Sequence, residues 1–409
     1  MNPERPAKPG PTTKPHRKNL FASRMAKTPK SFIREILKVT DDPRIISFAG
    51  GLPNPDLIDA AGIADAAGRV LAAEGRKALQ YSTTEGYLPL RTWIAERYRK
   101  RLGMAVSPCE ILITNGSQQC LDLIGKVFLN AGDPIAIERP GYLGAIQAFS
   151  LYEPVFCPIT LQDDGPDPAM LAEVLERHNP KFFYGIPNSQ NPTGITYTGE
   201  RRKEIADVMQ KTGTFFIEDD AYGELNFTGR SPQSFRQLLP ATTLITGSFS
   251  KILAPGMRLG WVVAPVEVME QLVIAKQASD LHSNFLSQRI AYEYLSHTDI
   301  DSHIHRIQQA YRHQCDLMQA EIKKTFPASV RYTRPEGGMF LWLTLPDGIS
   351  ANEVFDAAIK EEVAVLPGTP FYIDGGGNST LRINFSNAPD TMICEGIARL
   401  VRVIRKLGK

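Results

Sequence analysis

Lys251 stands in the run Gly247-Ser248-Phe249-Ser250-Lys251-Ile252-Leu253-Ala254-Pro255-Gly256-Met257-Arg258-Leu259-Gly260, directly after a strand-like stretch, Thr243 to Thr246. A lysine amine at such a place can form a Schiff base with an aldehyde. The hydroxyls of Ser248 and Ser250 and the guanidinium of Arg258 can meanwhile hold a phosphate. An aldehyde and a phosphate on one molecule is what pyridoxal 5'-phosphate (PLP) offers. An ordinary surface lysine accounts for Lys251 taken alone, but not for the further clusters of the same character along the chain.

Four such clusters precede it. Gly116-Ser117-Gln118-Gln119 opens a helical stretch running from Cys120 to Leu129, where free backbone N–H groups and the Ser117 hydroxyl suit a phosphate. Ordinary helix capping uses the same residues. Tyr142 follows the turn Arg139-Pro140-Gly141 and can stack on a pyridine ring, or serve as a core tyrosine. Asn191, in the polar turn Asn188 to Gly194, can donate to a phenolic oxygen, and Tyr222 can reach the same atom. Asp219 closes the apolar run Phe215-Phe216-Ile217-Glu218, where a carboxylate is costly without a cation. A protonated pyridine nitrogen is such a cation, and the pair makes the ring an electron sink. Of the two adjacent acids Asp219 is expected to face the site and Asp220 to point away.

These clusters need elements to carry them. Strand-like runs occur at Ile111–Thr114, Pro134–Glu138, Phe182–Ile186, Thr214–Glu218, Thr243–Thr246 and Gly260–Ala264. Amphipathic stretches alternate with them, such as Glu200–Lys211 with Ile205, Val208 and Met209 on one face. Alternating strands and helices predict an α/β fold, a mainly parallel sheet covered on both sides. The polar clusters all follow strand carboxyl ends, the edge along which open α/β sheets bind ligands. Residues 56–285 are therefore expected to form a large cofactor-binding domain. Residues 286–409, with long helical patterns and shorter strands near 330–344 and 380–385, form a smaller α+β domain to which segment 20–55 contributes.

Composition narrows the function classes. The 409 residues allow two to three domains, and 43% apolar residues suffice for a large core. A net charge of +2 gives no global field for nucleic acid or membrane, and no apolar run reaches the ~20 residues of a membrane span. The five cysteines (Cys109, Cys120, Cys157, Cys315, Cys394) are scattered, as expected of reduced and mostly buried thiols in a cytoplasmic protein. His303, His305 and His313 are expected on a solvated helix face, with no metal. Residues 1–19, rich in proline and lysine, are expected to form a disordered tail.

The motifs together resemble a fold type I, class I PLP-dependent aminotransferase, and within it the 2-aminoadipate/kynurenine branch. The likeness spans about residues 20–405. Its carriers are Ile46–Pro53, Gln80–Tyr87, Gly116–Gln119, Asn191–Gly194, Glu218–Tyr222, the Lys251 segment, Gly337–Phe340 and Leu381–Asn384. The resemblance implies a large domain with a seven-stranded sheet, and Lys251 as the Schiff-base lysine and proton shuttle. It implies Asp219 on the pyridine nitrogen, Tyr142 on the ring, and Asn191 and Tyr222 on the phenolic oxygen. Ser117, Gln118, Ser248, Ser250 and Arg258 would hold the phosphate. Tyr81 would reach the phosphate of a second subunit, giving a homodimer with shared sites. Arg382 would take the substrate α-carboxylate, Gly51 would line the pocket by its backbone, and Ser31 and Arg34 would meet a distal carboxylate. The chain departs from the pattern where Asn384 and Phe385 follow Arg382 and where Gln190 precedes Asn191.

The implied reaction is ping-pong transfer of an amino group from an L-amino acid (2-aminoadipate, glutamate, or an aromatic or branched-chain one) to a 2-oxo acid such as 2-oxoglutarate. Two alternatives share the cofactor residues. A β-lyase-type PLP enzyme would not need an oxo-acid acceptor. A PLP-dependent transcription regulator is expected to carry a DNA-binding domain of some 70 residues before the core, where about 20 residues stand.

Overall fold

The computed structural model describes residues 21–27 and 42–408. Its largest element is a mixed sheet of β1 (Ile111–Thr114), β2 (Pro134–Arg139), β3 (Val155–Gln162), β4 (Gly165–Pro166), β5 (Phe182–Gly185), β6 (Phe215–Asp219), β7 (Thr243–Ser248) and β8 (Gly260–Val263). The spatial order is β1-β8-β7-β6-β5-β2-β3-β4. Strands β7, β6, β5, β2 and β3 run parallel, while β8 lies antiparallel between β7 and β1. The two-residue β4 is added to the expected seven, antiparallel to the end of β3. Every residue of β1, β5, β7 and β8 is buried, as helices on both faces of a parallel sheet require.

Strand β3 was absent from the runs read in the sequence. It contains Pro158 and alternates irregularly between exposed and buried positions. On its outer side the ladder with β4 covers Leu161 and Gln162, so Pro158 sits beyond it where the sheet is open, the place where a strand tolerates proline.

The smaller sheet contains β9 (Arg331–Tyr332), β10 (Phe340–Thr344), β11 (Leu366–Pro367) and β12 (Thr380–Asn384), in the order β9-β10-β12-β11, all antiparallel. Arg382 lies at its centre, opposite Trp342 on one side and Leu366 on the other. The incoming segment pairs Ile46 and Ser47 with Val363 and Ala364, and the Phe48 carbonyl accepts from Asn384 N at 2.8 Å. This docking carries Ala49 and Gly51 to the cleft between the two sheets.

One expectation fails here. His303 is only 2% exposed on the helix Ile300–Thr325, where the Arg306 guanidinium lies 3.3 Å from its Nδ1. It belongs to the buried stripe of that helix, with Ile300, Ile304 and Ile307, not to the solvated face. Among the described residues no His, Cys, Asp and Glu group is arranged to hold a metal, and no helix is long and apolar enough to cross a membrane. The five cysteines are free thiols, with Cys120, Cys157 and Cys315 buried.

Candidate active site

The loops after β1, β2, β5, β6 and β7 converge on one cleft of about 320 Å³, a volume in the range of small-molecule sites. One end is built for an anion. Gly116 caps the 12-residue helix Ser117–Phe128 with φ 78°, so the first-turn N–H groups of that helix open into the cleft. Ser248 and Ser250 approach from the loop after β7, with Ser248 Oγ accepting from Ser250 N at 3.1 Å. Arg258 is in the left-handed region (φ 52°) and lays its guanidinium across Gly116. A Cβ on Gly116 would stand 2.7 Å from Arg258 Nη2. A Cβ on Gly260 would stand 2.7 Å from Ser117 N, so Gly260 is required by close approach and Gly116 by its positive φ.

The middle of the cleft is aromatic and acidic. Tyr142 begins the helix Leu143–Ser150 after β2, and burial pushes its hydroxyl up to about 12. Asp219 ends β6 at 4% exposure. Tyr184 donates to Asp219 Oδ2 at 2.6 Å, whereas Oδ1 is buried without a hydrogen-bond partner among the described residues. Burial raises the Asp219 carboxyl to about 6. Asp220 does face away: it accepts from Asn188 Nδ2 at 2.7 Å and lines a separate small depression with Glu218. Tyr222 is buried beside Asn191, its hydroxyl raised mainly by burial, and its ring meets Phe340 edge-on at 6.1 Å.

Lys251 and Arg382 occupy the far end. Lys251 Nζ donates to the Gly51 carbonyl at 2.9 Å. Burial, then the positive charges of Arg382 and Arg258, lower it to about 8. Arg382 is 2% exposed, yet no carboxylate pairs with it among the described residues. It donates to Asn191 Oδ1 at 2.9 Å and to the Ala49 carbonyl at 2.7 Å, and its guanidinium lies 4.2 Å from the Phe340 ring centroid. Burial lowers it to about 10, and its Nε has no partner among the described residues.

Gly51, Ser117, Gln118, Tyr142, Asn191, Asp219, Tyr222, Ser248, Ser250, Lys251, Arg258 and Arg382 thus line one cleft. Tyr81 does not. It is 78% exposed, with its ring edge against His282 at 5.8 Å. Ser31 and Arg34 lie outside the described residues. The structure adds Leu52, Gly116, Ile186, Ala221 and Phe340 to the lining, and Tyr184 behind Asp219. Phe340 could have been found from its place after Gly337-Gly338-Met339. Tyr184, inside a wholly apolar strand, gave no signal beyond its hydroxyl.

The cleft fits PLP on three independent observations. An orphaned buried carboxylate oxygen faces the middle, an anion cup closes one end, and a desolvated lysine lines the same cleft. Such an arrangement on a sheet of this topology defines an enzyme that holds a phosphorylated aldehyde and handles carboxylate substrates.

Comparison with known proteins gives the family. The family model described as aminotransferase class I and II matches residues 49–400. The chain is 45% identical over 381 residues to a 2-aminoadipate transaminase of Thermus thermophilus, covering 92% of this chain and 94% of that protein. It is 41% identical over 382 residues to aromatic-amino-acid aminotransferase 1 of Thermococcus litoralis, covering 92% of each. The crystal structure of an alpha-aminoadipate aminotransferase from Thermus thermophilus, complexed with N-(5'-phosphopyridoxyl)-L-leucine, superposes with a TM-score of 0.89. That likeness has 42% identity and covers 95% of this chain and 98% of the other. The chain belongs to the class I and II aminotransferases. It is a PLP-dependent transaminase of fold type I.

Proposed function

We propose that this aminotransferase moves the amino group of 2-aminoadipate, glutamate and aromatic or branched-chain amino acids to 2-oxoglutarate, using the cleft residues in the following roles. PLP, when bound, supplies the electron sink that takes up charge from the substrate α-carbon. The first-turn N–H groups at Ser117 and Gln118, the hydroxyls of Ser117, Ser248 and Ser250, and Arg258 hold its phosphate. Asp219, whose Oδ1 has no partner among the described residues while Tyr184 occupies Oδ2, would pair with the pyridine nitrogen. Tyr142 covers the ring, and Asn191 and Tyr222 hold the phenolic oxygen. Lys251 Nζ, lowered to about 8, is basic yet partly neutral near that pH, so once released it can take the α-proton of the substrate.

The observation that carries the substrate reading is Arg382, a buried guanidinium with no acid of its own among the described residues. A substrate α-carboxylate supplies that acid and forms a bidentate pair. The described cleft holds three cations, Lys251, Arg258 and Arg382, each with a role. A second, distal carboxylate must therefore find its cation elsewhere, and Arg34 with Ser31 is the assignment we favour. Similarity to a 2-aminoadipate transaminase and to an aromatic-amino-acid aminotransferase supports both dicarboxylic and aromatic donors.

We further assign Tyr81 to the phosphate of a partner subunit in a homodimer; its exposure outside its own cleft supports this. A cytoplasmic setting accords with five free thiols. Domain limits of 56–285 and 286–409, with 20–55 joining the smaller domain, accord with a large sheet within 111–263 and a smaller one within 331–384. A panel of amino donors with 2-oxoglutarate tests the function. Wild type should use 2-aminoadipate and glutamate, and Arg34→Ala should raise KM for these while sparing leucine and phenylalanine. Equal losses across both classes would remove Arg34 from substrate recognition. Turnover sustained without any oxo acid would favour the β-lyase alternative.

A further inference from the structure

None of the roles above uses Gln190. Its side chain is fully buried and has every hydrogen-bonding position filled. Nε2 donates to Glu138 Oε2 at 3.1 Å and to the Pro140 carbonyl at 2.9 Å. Oε1 accepts from Thr193 N at 2.8 Å and from Thr193 Oγ1 at 2.7 Å. Glu138, itself 1% exposed, is held by Ile186 N at 3.2 Å and by the Tyr197 hydroxyl. The amide therefore joins two loops. Its donors grip the end of β2 and the loop after it, which delivers Tyr142, and its acceptor oxygen grips the turn after β5, which delivers Asn191.

The turn has a second anchor. The Thr193 carbonyl accepts from Thr333 Oγ1 at 2.7 Å, and Thr333 Oγ1 accepts from Trp342 N at 3.0 Å. A Cβ on Gly194 would stand 2.5 Å from the Phe340 carbonyl, so the turn is pressed onto β10. Asn191 thus lies between two fixed points, and Arg382 donates to its Oδ1 at 2.9 Å.

We infer that Gln190 is a positioning residue that sets the distance between the face of the cofactor ring, covered by Tyr142, and the carboxylate-binding unit Asn191–Arg382. The inference rests on the roles assigned to Tyr142, Asn191 and Arg382 above. Only an amide meets the requirement. A glutamate at 190 offers no donor to Glu138 and Pro140, and methionine fills the space without any of the four bonds.

The test is Gln190→Met in the PLP-loaded enzyme, with Thr193→Val as a milder variant that removes one bond at the turn. KM for both amino donor and oxo acid should rise by roughly tenfold or more, within the up-to-hundredfold cost of displacing a positioned group by about 1 Å. The kcat should change less. The pH midpoint of the cofactor's visible band should rise, because a loosened Asn191 no longer draws charge from the phenolic oxygen. PLP affinity, set mainly at the phosphate cup, should hold. Unchanged KM and band midpoint in the folded variant overturn the inference, as does a lower melting temperature with unchanged kinetics. If Gln190→Met does not fold, Thr193→Val decides by the same readouts. A wild-type protein that forms no imine on Lys251 would instead refute the site assignment itself, which keeps the two failures distinct.

Discussion

In the roles proposed above, the two ends of the cleft hold anions in opposite ways. At the proposed phosphate end the cation, Arg258, is exposed and, among the described residues, is bonded only to the carbonyls of Pro255 and Asn115, each at 3.3 Å. Its partners in binding are a helix N-terminus and short hydroxyls. At the carboxylate end Arg382 is 2% exposed, lies between Phe340 and Phe371 at 4.2 and 5.4 Å, and is aimed by two shorter hydrogen bonds. A group that stays bound through many turnovers can be held by many weak, hydrated donors. A substrate that must be selected and released is better recognised by one desolvated charge, for which the arriving carboxylate is the missing counter-ion.

Removing the chemistry common to both ends gives the largest effect. Lys251→Ala should retain PLP through the cup but lose at least ~10²–10⁴-fold in transamination, the usual worth of positioned proton transfer. Borohydride reduction and peptide mapping of wild type should place the label on Lys251, and a label on another lysine would refute the assignment. Next comes Arg382→Met. Two charge-assisted hydrogen bonds at about 1.5–3 kcal/mol each make the loss in kcat/KM roughly 10²-fold or more. Because a buried, uncompensated charge also disappears, the apo melting temperature should hold or rise. A fall in stability matching the loss of activity would mean that Arg382 is chiefly structural.

Asp219→Asn lies between the two ends. It removes a charge partner worth about 1.5–3 kcal/mol, so single-turnover rates should fall more than PLP affinity does. Near-normal rates would exclude Asp219 as the ring-nitrogen partner. Arg258→Ala should cost only a several-fold loss of PLP affinity, since an exposed ion pair is worth roughly 0.2–1 kcal/mol. Equal affinity losses for Arg258→Ala on PLP and Arg382→Met on substrate would erase the contrast between the ends.

The smallest effect is on stability. Burial raises Asp219 to about 6 and Glu138 and Glu218 to about 7, above their unfolded values. The native apoenzyme keeps protons that the unfolded chain releases. This stabilisation is complete below about pH 4 and is lost as pH rises through 6 and 7. The apo melting temperature should therefore fall by a few degrees between pH 5 and 7, before Lys251 titrates near 8. Asp219→Asn should flatten the slope. A melting temperature that rises over this interval would contradict the burial of these acids.

What the chain determines by itself is the inventory of the cleft. Each cleft residue proposed to face the cofactor sits at the carboxyl end of a strand or in the segment that follows it, so strand and reactive side chain are close in sequence. Lys251 with Ser248 and Ser250, Asp219 with Tyr222, and Gly116 with Ser117 could all be read on that ground. The preference of Asp219 over Asp220 followed from the alternation of side chains along β6. Tertiary structure alone decided how these pieces are held. Arg382 meets Asn191 across 191 residues of sequence and the Ala49 carbonyl across 333, and Tyr184 reaches Asp219 from a neighbouring strand. The burial of His303 and the edge position of Pro158 belong to the same class, since both depend on what packs against an element and not on the element's own pattern. Local sequence encodes which groups a segment presents, whereas hydrogen bonds between distant segments exist only once sheet order and domain docking have brought those segments together.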